Sequence, residues 1–179
     1  MTDLTARHRI SLTLGIIAML WTAPVCALAD DTAAKVKAAY LYNIAKFVEW
    51  PDGAAEGSIV IGVVGEHPFG NQLPRLASQK ISGRRLVVRR LEYGADLAGC
   101  HIVFLGEGMA GSCRTAVEGL VDHPVLTVSE ERNFASQGGV IELVQQGGKV
   151  RMRINQEAAT VRRIKLSRQL LSVAELVTD

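Results

Sequence analysis

The sequence feature that most constrains the fold is a set of short runs that are apolar at nearly every position, so that neither face of the segment is polar. Three of them follow the first fifty residues: Ser58–Val64, His101–Leu105 and Val125–Val128. A strand that is apolar at nearly every position is buried on both faces, as happens in parallel sheets covered by helices. Segments typical of helices, Phe69–Ser78 and Ser112–Val121, alternate with these strands. This alternation predicts an α/β fold with a mostly parallel sheet.

A helix is predicted before the first of these strands. Between residues 35 and 50, apolar side chains recur at steps of three and four, the period of one helix face: Val36, Tyr40, Ile44, Phe47 and Val48. Thr32 is the expected N-cap, and Pro51 is expected to end the helix near Glu49.

The C-terminal third predicts an antiparallel hairpin. Two strands, Gly139–Gln145 and Lys149–Ile154, surround a Gly-Gly turn. In the second strand, Arg151 and Arg153 alternate with apolar residues, so one face of the hairpin is expected to be in water. We place this hairpin at the margin of the sheet.

The remaining segments complete the predicted architecture. Arg84–Leu91 is expected to be a further strand, and Gln156–Arg163 and Ser167–Val177 are expected to be helices. We therefore predict a three-layer α/β sandwich. It has a mixed, mostly parallel sheet with a C-terminal antiparallel hairpin, and helices cover both faces.

The first 29 residues have the features of a secretory signal peptide. Arg7 and Arg9 supply a basic start, and the apolar run Ile10–Trp21 is shorter than the ~20 residues that span a bilayer. Ala27 and Ala29 match the small residues of a cleavage site. We predict a signal peptide over residues 1–29 and a single exported domain over residues 30–179, with an uncleaved anchor as the alternative.

Composition and motifs exclude several classes of function. Twenty basic residues against eighteen acidic ones leave a net charge of +2, too small an excess for a dedicated nucleic-acid binder. The chain has no H-E-x-x-H, C-x-x-C, G-x-S-x-G, S-x-x-K or Walker motif. His67, His101 and His123 lack a second ligand at helical spacing. We predict no enzyme activity, no cofactor and no metal site.

One glycine motif resembles a dinucleotide fingerprint. Gly106, Gly108 and Gly111 follow a predicted strand and open a helix, and Glu130 stands about twenty residues later. The strand is third in order rather than first, and a tight turn requires glycine without any ligand. We retain these four residues as candidates for a small-anion loop at a helix N-terminus.

The cysteines of the predicted mature chain are Cys100 and Cys113. One stands before a strand and the other in the next helix, so the strand separates them by roughly 16 Å. A disulfide requires Cα atoms within about 7 Å. We predict no bond between Cys100 and Cys113 in the monomer.

Basic residues are in excess toward the C-terminus. Seven basic residues against three acidic ones lie between Lys149 and Asp179. A solvated helix face explains such an excess, and so does a surface that recognises a partner. The candidates for partner binding are Arg151, Arg153, Arg162 and Arg163.

Motifs along nearly the whole predicted mature chain resemble the YfiR-like periplasmic family. The most specific is the opening motif, Ala34-x-x-x-x-Ala39-Tyr40-Leu41-Tyr42-Asn43-Ile44-Ala45-Lys46-Phe47-Val48-Glu49-Trp50-Pro51. Later segments follow in the expected order: Gly62–Gly65, Cys100–Leu105, Leu126–Glu130, Gly138–Ile141 and Val150–Asn155.

The resemblance implies a periplasmic repressor of an inner-membrane diguanylate cyclase. Such a protein docks on the periplasmic sensor domain of the cyclase and controls cyclic di-GMP signalling, and an outer-membrane peptidoglycan-linked lipoprotein can sequester it. We expect docking through the hairpin and the adjoining C-terminal helix.

Two further expectations stay open beside the repressor. One alternative is a periplasmic binding protein for a nucleotide or small anion, using Gly106–Gly111 and Glu130. The other alternative is a homodimer, with helix 35–50 or the margin of the sheet as its interface.

Overall fold

The computed structural model describes residues 26–51, 53, 57–106 and 110–178. The predicted signal peptide therefore lies outside the described residues, apart from residues 26–29, which are helical. None of the helices in the described ranges combines the length and apolar character that crossing a membrane requires.

Helices and strands alternate along the described chain. The helices are α1 (Cys26–Lys46), α2 (Leu73–Ala77), α3 (Ala110–Glu118), α4 (Gln156–Val161) and α5 (Arg168–Leu171). The strands are β1 (Val48–Glu49), β2 (Ile59–Val64), β3 (Lys80–Ile81), β4 (Arg84–Leu91), β5 (Ile102–Leu105), β6 (Leu126–Ser129), β7 (Ile141–Gln146), β8 (Lys149–Asn155), β9 (Lys165–Leu166) and β10 (Glu175–Val177). A short 3-10 helix, Ala135–Gln137, precedes β7.

The predicted mixed, mostly parallel sheet is confirmed. Eight strands of the described chain form it, in the order β10-β8-β7-β6-β5-β2-β4-β3. Only β7 with β8 and β3 with β4 pair antiparallel, and the other neighbours are parallel. The chain passes from β2 to β4 on one side and then returns to β5 on the other, so its direction reverses at β2.

Two apolar clusters show that helices cover both faces of the sheet. On one face, Ile61 and Phe104 pack with Leu41 of α1. On the other face, Val60 and Val103 pack with residues of α3. Neighbouring strand residues join opposite clusters because side chains alternate across a sheet. This arrangement confirms the three-layer α/β sandwich.

The first helix ends earlier than predicted, and Thr32 lies inside it rather than at its N-cap. Helix α1 stops at Lys46 because the following backbone enters a small sheet. There, β1 pairs antiparallel with β9, and the amide of Ser167 donates to the carbonyl of Phe47 at 2.9 Å. The apolar period continues past the helix, so the sequence pattern does not reveal this end.

The prediction of a helix over Ser167–Val177 is wrong. Only Arg168–Leu171 is helical, and Glu175–Val177 forms β10, which pairs in parallel with β8. The hairpin itself is confirmed, but β10 covers its outer strand, so the hairpin does not lie at the margin of the sheet. A three-residue strand that pairs across a long connection has no periodicity from which to be recognised.

Candidate docking surface

A groove runs between α1, the start of β8 and the segment after α5. Two adjoining cavities of roughly 740 and 650 Å³ form it, and both are lined by Val36, Tyr40, Met152 and Val173. The hydroxyl of Tyr40 donates to the carbonyl of Val150 at 2.9 Å, which fixes α1 against β8. The walls of this docking groove are therefore held by a direct contact between a helix and the sheet.

The floor of the docking groove is apolar and partly open to water. Val36 is 41% exposed and Val173 is 68% exposed, although both are large aliphatic residues. On α1, Val36 is followed along the groove by Tyr40, Ile44 and Phe47, in agreement with the predicted helical period. A contiguous apolar surface that water reaches is typical of an interaction site.

The rim of the docking groove is cationic at the hairpin. Lys149 and Arg151 of β8 are exposed, while Met152 and Ile154 are buried, which confirms the predicted alternation. Both basic residues line the larger cavity. Among the described residues that line either cavity there is no carboxylate. Because side chains alternate along β8, the side chain of the predicted candidate Arg151 leaves the strand on the face opposite Met152, so its charge borders the docking groove without facing the floor.

Arg153 is less available than Arg151. Its guanidinium lies 3.6 Å from a carboxylate oxygen of Glu142 and 3.3 Å from one of Glu175. Glu142 is buried, so Arg153 compensates a carboxylate that would otherwise be costly to bury. Arg153 therefore joins β8 to β7 and β10 through these two ion pairs. Its side chain is half-exposed beside the rim of the docking groove.

Arg162 does not lie at the surface. It is only 2% exposed, and its guanidinium donates to the carbonyls of Ala158 at 2.9 Å and Val117 at 3.0 Å. These bonds join α4 to α3 in the interior. The predicted partner contact through the Arg162 side chain is therefore not supported. An excess of basic residues in the sequence does not distinguish an arginine in water from a buried arginine that donates to carbonyls.

Arg163 is exposed but is separate from the docking groove. Its guanidinium donates to the carbonyl of Asp122 at 3.0 Å, after α3. Because α3 and α1 pack on opposite faces of the sheet, the structure does not bring the four arginines together as one surface. Lys149 and Val173 complete the groove instead. The alternation of polar and apolar residues in the hairpin indicates that Lys149 is exposed. Val173 could not be recognised in the same way, because a helix was predicted over that segment.

The small-anion residues are engaged in contacts within the protein. Gly106 follows β5, and a methyl group there would overlap the carbonyl of Glu66. Glu130 follows β6 and forms an ion pair with Lys37 of α1, with an Nζ–Oε1 distance of 2.9 Å. Gly111 lies within α3, and Gly108 lies outside the described residues. Close packing of the chain accounts for Gly106 without a ligand.

The thiols of Cys100 and Cys113 are free and buried in the cluster that faces α3. Burial raises the pKa of the Cys100 thiol. Burial, together with the nearby Glu131 carboxylate, raises the pKa of Cys113 to about 11. The absence of a Cys100–Cys113 bond stays a prediction. No three His, Cys, Asp or Glu side chains of the described ranges converge as metal ligands.

Both thiols are expected to resist alkylation in the folded protein. A thiol with a pKa of about 11 is ionised in only about one molecule in a thousand at pH 8, and the thiolate is the reactive form. Iodoacetamide at pH 8 should therefore leave the peptides of Cys100 and Cys113 unmodified in mass spectrometry, while denaturant should allow complete modification. Rapid labelling of either peptide without denaturant would contradict the burial described above.

Comparison with known proteins identifies the family. The family model described as DUF4154, YfiR/HmsC-like, matches residues 34–175, which is most of the chain. The match begins in α1 and ends at the first residue of β10, so it includes the whole docking groove apart from its first lining residues. No curated protein matches the chain. The chain belongs to the YfiR/HmsC-like family.

Proposed function

We propose that this protein is a periplasmic regulatory binding protein that represses an inner-membrane diguanylate cyclase. It acts on the periplasmic sensor domain of the cyclase and so controls cyclic di-GMP signalling. Membership of the YfiR/HmsC-like family supports a regulatory role, and the secretory features of residues 1–29 support export. The observation that carries the proposal is the docking groove, with its apolar floor and cationic rim.

The chemistry of the docking groove defines what it would bind. An apolar segment of the sensor domain would cover Val36 and Val173, because burying exposed aliphatic side chains drives most protein association. Acidic groups beside that segment would face Lys149 and Arg151 and would set its orientation. The outer-membrane lipoprotein would compete for the same groove and release the cyclase.

Repression in this proposal is binding without chemistry. The protein stabilises the inactive arrangement of the cyclase only by as much as it prefers that arrangement over the active one. Moving a cyclase population from almost fully active to almost fully inactive requires a preference of about 10⁴-fold. The preformed groove lowers the ordering cost of binding either arrangement, so the preference has to come from contacts that only the inactive arrangement of the sensor domain makes.

Charge reversal at the rim tests the proposal. The Lys149→Glu, Arg151→Glu double variant is expected to capture at least about tenfold less cyclase from detergent-solubilised membranes, because two attractive contacts become repulsive. Arg153 is left unchanged, since its ion pairs with Glu142 and Glu175 support the fold.

The control for this experiment is Arg114→Glu. Arg114 is exposed on α3, across the sheet from the docking groove, and pairs with Glu118. This variant should capture the cyclase as the unmodified protein does. Equal capture by the double variant and the unmodified protein would place the docking surface elsewhere.

A further inference from the structure

The second half of β4 forms an open edge of the sheet. On its outer side β4 pairs with β3 only at Arg84 and Arg85, whereas on its inner side it pairs with β2 from Leu86 to Leu91. No strand of the described chain pairs with the outer side beyond Arg85. Such an edge presents main-chain N–H and C=O groups that can accept a further strand.

The hydrogen bonding of β4 shows which main-chain groups face outward. The amide of Leu86 donates to the carbonyl of Gln79 at 3.3 Å, so the main chain of Leu86 faces away from β2. Alternate residues of a strand direct their main-chain groups to the same side, so those of Val88 and Arg90 also face outward. In the described chain neither residue has a strand beside it on that side. The open edge therefore presents the amides and carbonyls of Val88 and Arg90.

The open edge is basic. Arg85, Arg89 and Arg90 are exposed, and none of them forms an ion pair with a carboxylate of the described residues. An acidic segment beside β4 would gain their attraction without breaking an existing pair. Residues 79–91 include no acidic residue and five basic ones: Lys80, Arg84, Arg85, Arg89 and Arg90.

The carboxylates close to the open edge lie at its end. Glu92 directly follows β4, and Glu66 and Glu92 line a crevice that also includes Arg90. These two carboxylates reduce the positive potential at the end of the strand. Two acidic groups against five basic ones leave the edge positive, so the complementary partner is acidic.

Two half-buried valines add apolar surface to the open edge. Val88 packs against the cluster that contains α1, and Val87 packs against the cluster that faces α3. Because side chains alternate across a sheet, Arg90 lies on the face of Val88 and Arg89 on the face of Val87. Cross-strand aliphatic pairs and opposite charges both stabilise a sheet. A matching strand therefore has two apolar residues next to two acidic ones.

A second copy of this chain does not suit the same edge. Pairing of two β4 strands would bring the arginines of both copies together, and like charges beside one another destabilise a sheet. Charges on an open edge keep identical edges apart in this way. The same charges attract an acidic strand, so the open edge discriminates between the two partners.

We propose that the open edge of β4 binds an extended acidic segment of another protein, which adds a strand to the sheet. Its main chain bonds to Val88 and Arg90, and its carboxylates lie beside Arg89 and Arg90. Its apolar residues lie beside Val87 and Val88. The strand order places β4 near one end of the sheet and β8 near the other, so this surface is separate from the docking groove.

A peptide titration followed by NMR of the ¹⁵N-labelled protein tests this proposal. The probe is the acetylated and amidated peptide Thr-Glu-Glu-Val-Val-Thr, which should saturate with a dissociation constant below about 1 mM. Hydrogen exchange should slow at the outward-facing amides of Val88 and Arg90. The amides of Val87 and Arg89 face β2 and should change little. Slower exchange at alternate residues identifies an added strand, which contact with the guanidinium groups alone would not produce.

A modified peptide separates strand addition from simple attraction of charge. N-methylation of its four central residues keeps both carboxylates but removes the main-chain donors that a strand needs. This peptide should bind at least about tenfold more weakly than the probe. Equal binding of the two peptides, or unchanged exchange at Val88 and Arg90, would overturn the proposal.

Matched double variants locate the binding. The Arg89→Gln, Arg90→Gln variant should weaken binding of the probe at least about tenfold. The Lys149→Gln, Arg151→Gln variant removes the same charge near the other end of the sheet and should bind as the unmodified protein does. All four side chains are exposed, so neither variant alters the core. Equal loss in both variants would overturn the proposal, as would binding of phosphatidylglycerol vesicles through Arg89 and Arg90 without binding of the probe.

Discussion

Replacing Gly106 with alanine is expected to destabilise the fold by about 3 kcal/mol, a large effect for one methyl group. The added Cβ would overlap the carbonyl of Glu66, which is backbone and cannot turn aside as a flexible side chain could. The amide of Gly106 also donates to the carbonyl of Val64 at 2.9 Å, so the loops after β2 and β5 would have to separate. Urea denaturation measures the free energy of unfolding directly.

Gly99→Ala is the matched control for this substitution. A Cβ at Gly99 meets no atom within 4 Å in the described chain, so the same change should alter the free energy of unfolding by less than about 0.5 kcal/mol. If Gly106→Ala unfolds at the same urea concentration as Gly99→Ala, the two loops do not pack as the structure shows. The small-anion role of Gly106 would then regain support.

Arg162→Ala is expected to cost about 3 kcal/mol of stability, even though arginine substitutions at a surface are normally almost neutral. The side chain is buried and donates to two carbonyls, those of Ala158 and Val117. Alanine would leave both acceptors without these donors and would open a cavity between α3 and α4. The thermal midpoint should fall accordingly.

The neighbouring residue provides a control of opposite sign. Arg163 has a φ of 59° and follows the end of α4, where the amide of Ile164 donates to the carbonyl of Ala159 at 3.0 Å. Helices commonly end this way with glycine in the left-handed position. The free energy of unfolding of Arg163→Gly should therefore be equal to that of the unmodified protein or higher, by no more than about 1 kcal/mol. A similar loss in both variants would contradict the buried role of Arg162.

The elements that sequence patterns predicted best are those whose burial is uniform. Ile59–Val64 and Ile102–Leu105 are buried at every position, and their continuous apolar character reflects that directly. The hairpin is equally recognisable, because its turn is the pair Gly147 and Gly148. Both adopt the positive φ values that such a turn requires and that glycine adopts without strain. By contrast, β10 depends on pairing with β8 from a distance, and nothing within its three residues indicates this.

The candidate site shows the same division. Alternation along β8 places Arg151 in water and Met152 in the core, so local pattern was sufficient for that part of the docking groove. Arg162 and Arg163 are adjacent in sequence, yet one is buried against α3 and the other is exposed. That difference arises from how α4 packs on its neighbours, which composition and charge do not encode. The groove also requires Val173, whose exposure follows from the short α5.

Cyclase output in inside-out membrane vesicles measures the central claim most directly. Vesicles that contain the diguanylate cyclase are loaded with the purified protein in their lumen, which corresponds to the periplasmic side, and GTP is supplied outside. The account predicts that cyclic di-GMP synthesis falls with the unmodified protein and with Arg114→Glu. It should stay high with the Lys149→Glu, Arg151→Glu variant. Undiminished synthesis with the unmodified protein, or equal repression by the double variant, would contradict the account.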